Sequence, residues 1–131
     1  MGLMRKTGGG VITITSSTGG LRGSRNYAPY ATSKHALIGL MKTAALEGAS
    51  SGIRVNTVNP GPVNTRMMRA IAGDKPADDA QIKYMSQIPM GRYGTVEEIA
   101  SMIAFLSSPQ ASFCTGASYL ADGGTLAGPA G

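Results

Sequence analysis

An α/β fold built on a parallel three-stranded sheet is what this sequence predicts, and three observations carry the prediction. Short apolar runs at 11–15, 53–58 and about 117–121 read as strands. Between them lie segments with apolar residues at helical spacing, each long enough for a right-handed crossover, which makes neighbouring strands parallel. Turn-forming clusters of Gly, Ser, Asn and Pro separate the runs.

Taken in order, residues 1–7 are too few to assign and are compatible with the last turn of a helix. Gly8-Gly9-Gly10 precedes a strand instead of joining a strand to a helix N-terminus, so it reads as a plain turn and not a phosphate cradle. Val11, Ile12 and Ile14 with Thr13 and Thr15 form the first strand, and a Gly-, Ser- and Arg-rich loop follows from Ser17 to Asn26. A helix is predicted over 28–48, where Leu37, Leu40, Met41, Ala44 and Ala45 recur at three and four and Pro29 suits the first turn. Ile38 and Leu46 widen that stripe, so this helix is expected to bury more than one side, against the sheet and a partner helix. Ser50-Ser51-Gly52 ends it. Ile53, Val55 and Val58 alternate as the second strand, stopped by Asn59-Pro60-Gly61. The stretch 66–87 is mixed, with Met67, Met68 and Ile71, a polar break, then Ile82, Tyr84 and Met85; it predicts short helices over a pocket. Thr95 with Glu98 three residues on is a capping box. The helix it opens carries Val96, Ile99, Ile103 and Leu106 on one face and stops at Ser108-Pro109. Asp122-Gly123-Gly124 follows the third strand, and a loose small-residue tail is expected over 125–131.

At 131 residues with 42% apolar content, the chain is long enough for one domain with a core. The net charge of +5 comes from scattered basic residues without an aromatic stacking platform, which argues against nucleic acid. No apolar run is long enough for a membrane helix, and the N-terminus lacks a signal peptide's apolar core. A single cysteine, Cys114, favours a reducing, cytoplasmic setting; with one histidine, His35, it makes no metal cluster. Arg22, Arg25, Arg66 and Arg69 fall in loops at the predicted active edge, where they suit an anionic substrate.

Of the five tyrosines, only Tyr30 has a lysine four residues on, Lys34. On a helix that spacing puts both side chains on one face. A free phenol titrates near ~10, and a cation held beside it favours the phenolate, the form a tyrosine needs to trade protons near neutrality. A surface Tyr/Lys pair has the same spacing. Topology adds weight: ligands of parallel α/β sheets bind beyond the strands' carboxyl ends, and the chain leaving those ends brings Ser17, Tyr30, Lys34 and Thr65 toward one edge.

Five pieces, in order, resemble the C-terminal half of a short-chain dehydrogenase/reductase. They are I-T-S-S, Y-A-T-S-K, I-R-V-N-T-V-N-P-G-P-V-N-T, G-R-Y-G-T-V-E-E-I-A and A-D-G-G, spanning about Gly8 to Gly124. The flavour is that of 3-oxoacyl-carrier-protein reductases and sugar or alcohol dehydrogenases. The resemblance implies a partial Rossmann-like, doubly wound sheet, with residues 1–131 as the catalytic half of one domain. It implies an oxidoreductase using NAD or NADP on a small carbonyl or secondary alcohol. Tyr30 is then the general acid/base, Lys34 its partner and a ligand of the nicotinamide ribose, and Ser17 the hydrogen-bond donor to the substrate carbonyl. Ser16, on the other side of an extended chain, is the poorer candidate. Pro60 and Gly61 shape the turn beside the nicotinamide, and Val63 (through its backbone) and Thr65 fix its carboxamide. A turn serine at Ser17 and a helix N-cap at Thr65 are the plainer readings.

Members of the family are roughly twice as long, and their glycine-rich pyrophosphate loop, NAD/NADP selector and relay asparagine have no counterpart here. The expectation is therefore a chain inactive by itself, self-associating through helix 28–48 and the last helix and strand. The alternative is a truncated remnant, non-catalytic, that folds or acts by self-association. The open edge of the first strand is expected to be exposed.

Overall fold

A computed structural model describes residues 1–66, 68 and 84–128. Three parallel strands form one sheet in the order β1 (Gly10–Thr15), β2 (Ile53–Pro60), β3 (Ser118–Ala121). The register runs from Gly10 opposite Ile53 to Thr15 opposite Val58, and from Thr57 opposite Ser118 to Pro60 opposite Ala121. Helix α1 is Gly2–Lys6, α2 is Ala28–Gly48 and α3 is Val96–Ser107. Among the described residues β1 pairs with β2 alone, which leaves it an edge strand.

β2 runs through Asn59 to Pro60, two residues past its expected end at Val58. Successive residues of a strand point their N–H groups to opposite neighbours. Gly61 N–H donates to Ala121 at 3.0 Å on the β3 side, whereas the missing N–H of Pro60 faces the β1 side, where β1 has already stopped. The last ladder bond on that side is Ser16 N–H to Val58 O at 2.8 Å, and the proline, having no donor, takes the ladder no further.

The strand's two faces bury different helices. Ile53 and Val55 pack with Ile38, Met41 and Ala45 of α2, and with Ile12 and Ile14 of β1. Val58, on the other face, packs with Leu106, Ala111, Ile99, Met102 and Ile103 on the α3 side. Arg54 shares that face and holds the end of α3: its guanidinium donates to the Leu106 and Ser108 carbonyls at 2.9 Å each and to Cys114 O at 3.2 Å. A cation against the last carbonyls also suits the helix dipole. Buried Asn56 donates to Cys114 O at 2.7 Å and accepts from Ala117 N at 3.2 Å, which stitches in the approach to β3.

Two expected stripes shift. On α2 the sheet-facing residues are Ile38, Met41, Ala45 and Gly48, while Leu40 is 59% and Leu46 83% exposed. On α3, Val96 is half exposed and Met102 takes a place in the core instead. The first residues after β3 turn back on Asp122, whose carboxylate accepts from Gly124 N at 3.0 Å and Leu126 N at 2.9 Å. Met67, Arg69, Ile71, Ile82 and residues 129–131 lie outside the described residues; within the expected short helices, Arg66, Met68, Tyr84 and Met85 are helical.

Candidate active site

Where β1 ends, the chain enters a 3-10 turn, Thr18–Gly20, started by Ser17, whose Oγ accepts the Gly19 N–H at 3.0 Å. That is the turn-serine geometry, and it uses only a lone pair: the hydroxyl proton is left to donate to something else. The loop then reaches α2, with Pro29 in its first turn and Tyr30 third.

At ~100° per residue around the helix, Tyr30 and Lys34 fall on the same stripe as Ile38, Met41 and Ala45, the residues that face the sheet. The pair therefore turns toward the end of β1. Lys34 Nζ stands over the Tyr30 ring, 5.6 Å from its centroid, and donates to Thr15 O at 3.3 Å. Gly19 lies between the ring and the serine: a Cβ there would sit 3.0 Å from Tyr30 Cε1 and 3.5 Å from Ser17 Oγ. The fold thus sets Ser17 and Tyr30 on either side of one glycine, with Lys34 over the tyrosine ring. Tyr30 is 39% exposed, so its side chain is accessible from outside.

Residues after β2 form a second wall from the same end of the sheet. Gly61 is pressed against the loop after β3, where a Cβ would meet Asp122 Cα at 2.7 Å. Val63 pairs with Gly94 as an isolated parallel bridge, with Asn64 N donating to Gly94 O at 2.9 Å and Gly94 N to Pro62 O at 3.0 Å. Thr65 Oγ1 accepts from Met68 N at 3.3 Å, which is the N-cap geometry. Among the described residues no hydrogen bond links Pro60, Gly61, Val63 or Thr65 to Tyr30 or Lys34. Met90 N donates to Gly123 O at 3.1 Å, and Ile88 packs against Gly123, so residues 88–90 lie over the third loop.

The contacts of three positions escaped sequence reasoning. Ser16, 3% exposed, donates to the backbone carbonyl of Lys34 at 3.0 Å, and Gly20 leaves the space around that bond. Their signal was only a second serine and a second glycine beside more obvious ones. Asp122, in a turn read simply as Asp-Gly-Gly, organises the third loop. Arg22, Arg25 and Arg66 are exposed and Arg69 lies outside the described residues. The one salt bridge among described residues is remote from Tyr30 in sequence: Arg92 to Glu98 at 2.7 Å. Hydrogen bonds from Arg92 and from the Thr95 N–H hold the Glu98 carboxyl down at about 2. A shallow groove of about 620 Å³, lined by Gly23, Ser24, Ala28, Ala31, Thr32 and His35 among others, lies round the far side of α2 from Tyr30. His35 is exposed, with Nδ1 2.9 Å from Ala31 O. No group of three metal-ligating side chains occurs among the described residues.

The family profile described as Enoyl-(Acyl carrier protein) reductase matches residues 1–125. A short-chain dehydrogenase of Pyricularia oryzae is 42% identical over 121 residues, covering 92% of this chain and 43% of that protein. The 3-oxoacyl-(acyl-carrier-protein) reductase of Salmonella typhimurium is 43% identical over 122 residues, 93% of this chain and 48% of that one. The crystal structure of levodione reductase superposes with a TM-score of 0.90 at 35% identity, covering 96% of this chain and 50% of that one. A 4-hydroxyisoleucine dehydrogenase complexed with NADH superposes at 0.75 and 35% identity, covering 91% and 47%. The chain spans about half the length of the relatives it matches. On the profile and these identities, together with the Rossmann-type α/β sheet, the chain belongs to the short-chain dehydrogenase/reductase family.

Proposed function

We propose that these residues are the catalytic half of an NAD(P)-dependent oxidoreductase that interconverts a small carbonyl compound and its secondary alcohol. The observation that carries the reading is that Ser17 and Tyr30 meet across Gly19 while the Lys34 ammonium stands over the Tyr30 ring.

The residues present fit one end of the cofactor. The Lys34 ammonium at the end of β1 suits ribose hydroxyls, and the backbone from Pro60 through Val63, pinned at Gly61 and Gly94, offers N–H and C=O groups to a carboxamide, with Thr65 beside them. For the adenosine end the sequence offers no glycine-rich loop from strand to helix. When bound, the nicotinamide supplies or accepts the hydride. Ser17 donates its free hydroxyl proton to the substrate oxygen. Tyr30 gives its phenolic proton to that same oxygen as negative charge builds there, and takes it back in the reverse direction. Lys34 stabilises the charge left on the phenolic oxygen, in a cleft where its other neighbour is a neutral carbonyl. A cytoplasmic setting suits the free thiol of Cys114.

Support for the cofactor class comes from relatives: one is solved with NADH, and a protein of Beutenbergia cavernae, with a TM-score of 0.88 at 38% identity, with NADP. Calorimetry of the 131-residue chain with NADH and NADPH is expected to show negligible binding, because only the nicotinamide end has partners here. Micromolar affinity for either would refute that. In a form of the relatives' length, Tyr30→Phe should remove turnover and leave cofactor binding; near-normal turnover would end the catalytic assignment.

A second reading, a non-catalytic self-associating chain, draws on the exposed apolar side chains of α2 and the last elements. Leu40 and Leu46 face outward, as do Phe105, Phe113 and Leu120, which include both phenylalanines of the chain. Those same surfaces suit homo-oligomer contacts of the enzyme. A folded monomer at high concentration, seen by sedimentation, counts against the second reading.

A further inference from the structure

We propose that Ser16 is a positioning residue for Lys34: its hydroxyl, in the space kept clear by Gly20, fixes where the ammonium stands over the Tyr30 ring. The claim about placement rests on geometry alone, and its consequence for turnover rests on the functional reading above.

The carbonyl of Lys34 lies inside α2, where a helix supplies an acceptor's partner four residues on. A carbonyl has two lone pairs, and Ser16 Oγ takes the second at 3.0 Å. Satisfying the carbonyl therefore does not require Ser16. What the bond adds is a tie between the end of β1 and α2 at the residue that carries the ammonium. The preceding residue makes the complementary tie, since Lys34 Nζ donates to Thr15 O. Residues 15 and 16 thus hold Lys34 at the tip of its side chain and at its backbone carbonyl. The outer grip is the weaker: at 3.3 Å it is already long for an N–H···O bond, so a shift of α2 by a few tenths of an ångström opens it first. Gly20 is part of the device. A Cβ there would fall 2.6 Å from Ser16 Oγ and 2.8 Å from Lys34 O, the two atoms of the bond. Any side chain at position 20 separates them.

The test is the NMR signal of the Lys34 Hε protons in 13C-lysine-labelled protein, which the face of the Tyr30 ring displaces upfield. Ser16→Ala is expected to lose most of that displacement. Gly20→Ala should lose it too and combine non-additively with Ser16→Ala, since both break one bond. Ser17→Ala should keep it. In a form of the relatives' length, Ser16→Ala should lower kcat on the order of tenfold or more, with cofactor KM changed less. A folded Ser16→Ala protein with the parent Lys34 displacement overturns the proposal; should that variant not fold, Gly20→Ala puts the same question to the same bond. Loss of the displacement with undiminished turnover upholds the placement and refutes Lys34 as a member of the reacting pair.

Discussion

Tyr30 and Gly61 show two ways in which one position matters. Tyr30→Phe deletes a hydroxyl and keeps the ring that packs on Gly19, so the fold should be unchanged while kcat falls by roughly 10²–10⁴ in the relatives' length form, the range for a lost general acid. Steady-state kinetics with a binding control checks it. Gly61→Ala is the opposite case, a position that matters for its lack of room. Its Cβ would press on a backbone atom, Asp122 Cα, so the ends of β2 and β3 must part. A loss of about 1–3 kcal/mol in urea unfolding is expected. Ser17 is subtler, because its oxygen caps a turn and its proton is free, so the turn-serine reading and the functional one are compatible.

At the scale of elements, the first turn of α3 gives a pH-dependent prediction. Glu98 sits at about 2 against an ordinary 4.5, so its contribution is present above pH 4.5 and is lost as pH falls toward 2. Arg92→Ala should flatten part of the fall in melting temperature across that window. Because both partners are nearly half exposed, added salt should shrink the difference. Thr95→Ala, which removes the other half of the box, should cost about 1 kcal/mol at neutral pH. Arg54→Met should cost about 1–3 kcal/mol, since it strips a charged donor from the carbonyls of Leu106, Ser108 and Cys114. These elements were legible to different degrees. The extent of α2, the capping box and the three parallel strands followed from local periodicity and Gly, Ser and Pro punctuation. The inward face of α2 did not, because apolar residues surround that helix and only the sheet decides that Ile38 and Gly48, not Leu40 and Leu46, turn inward. Arg54, Asn56 and Ser16 were invisible for a related reason: each bonds a backbone carbonyl distant in sequence, and such a partner leaves no mark on the residue itself.

For the whole molecule, the relatives' length and the outward apolar residues bear on one question, what covers these surfaces. Replacing Leu40 and Leu46 together by lysine is expected to lower the sedimentation coefficient toward the monomer value while the far-UV spectrum is kept. An unchanged coefficient would place the contact elsewhere. The sheet itself is stepped: β1 stops opposite Val58, and β2 and β3 continue for two more pairs. A hydrogen-bonding backbone at that step would invite the chain after Thr15 to zip onward and fill the notch beside Ser17. Pro60 has no hydrogen to offer, so the ladder cannot run on past it, and the turn that Ser17 starts carries the chain away from the notch. Pro60→Ala would return the missing donor, and the loop that carries the serine would then have somewhere else to go.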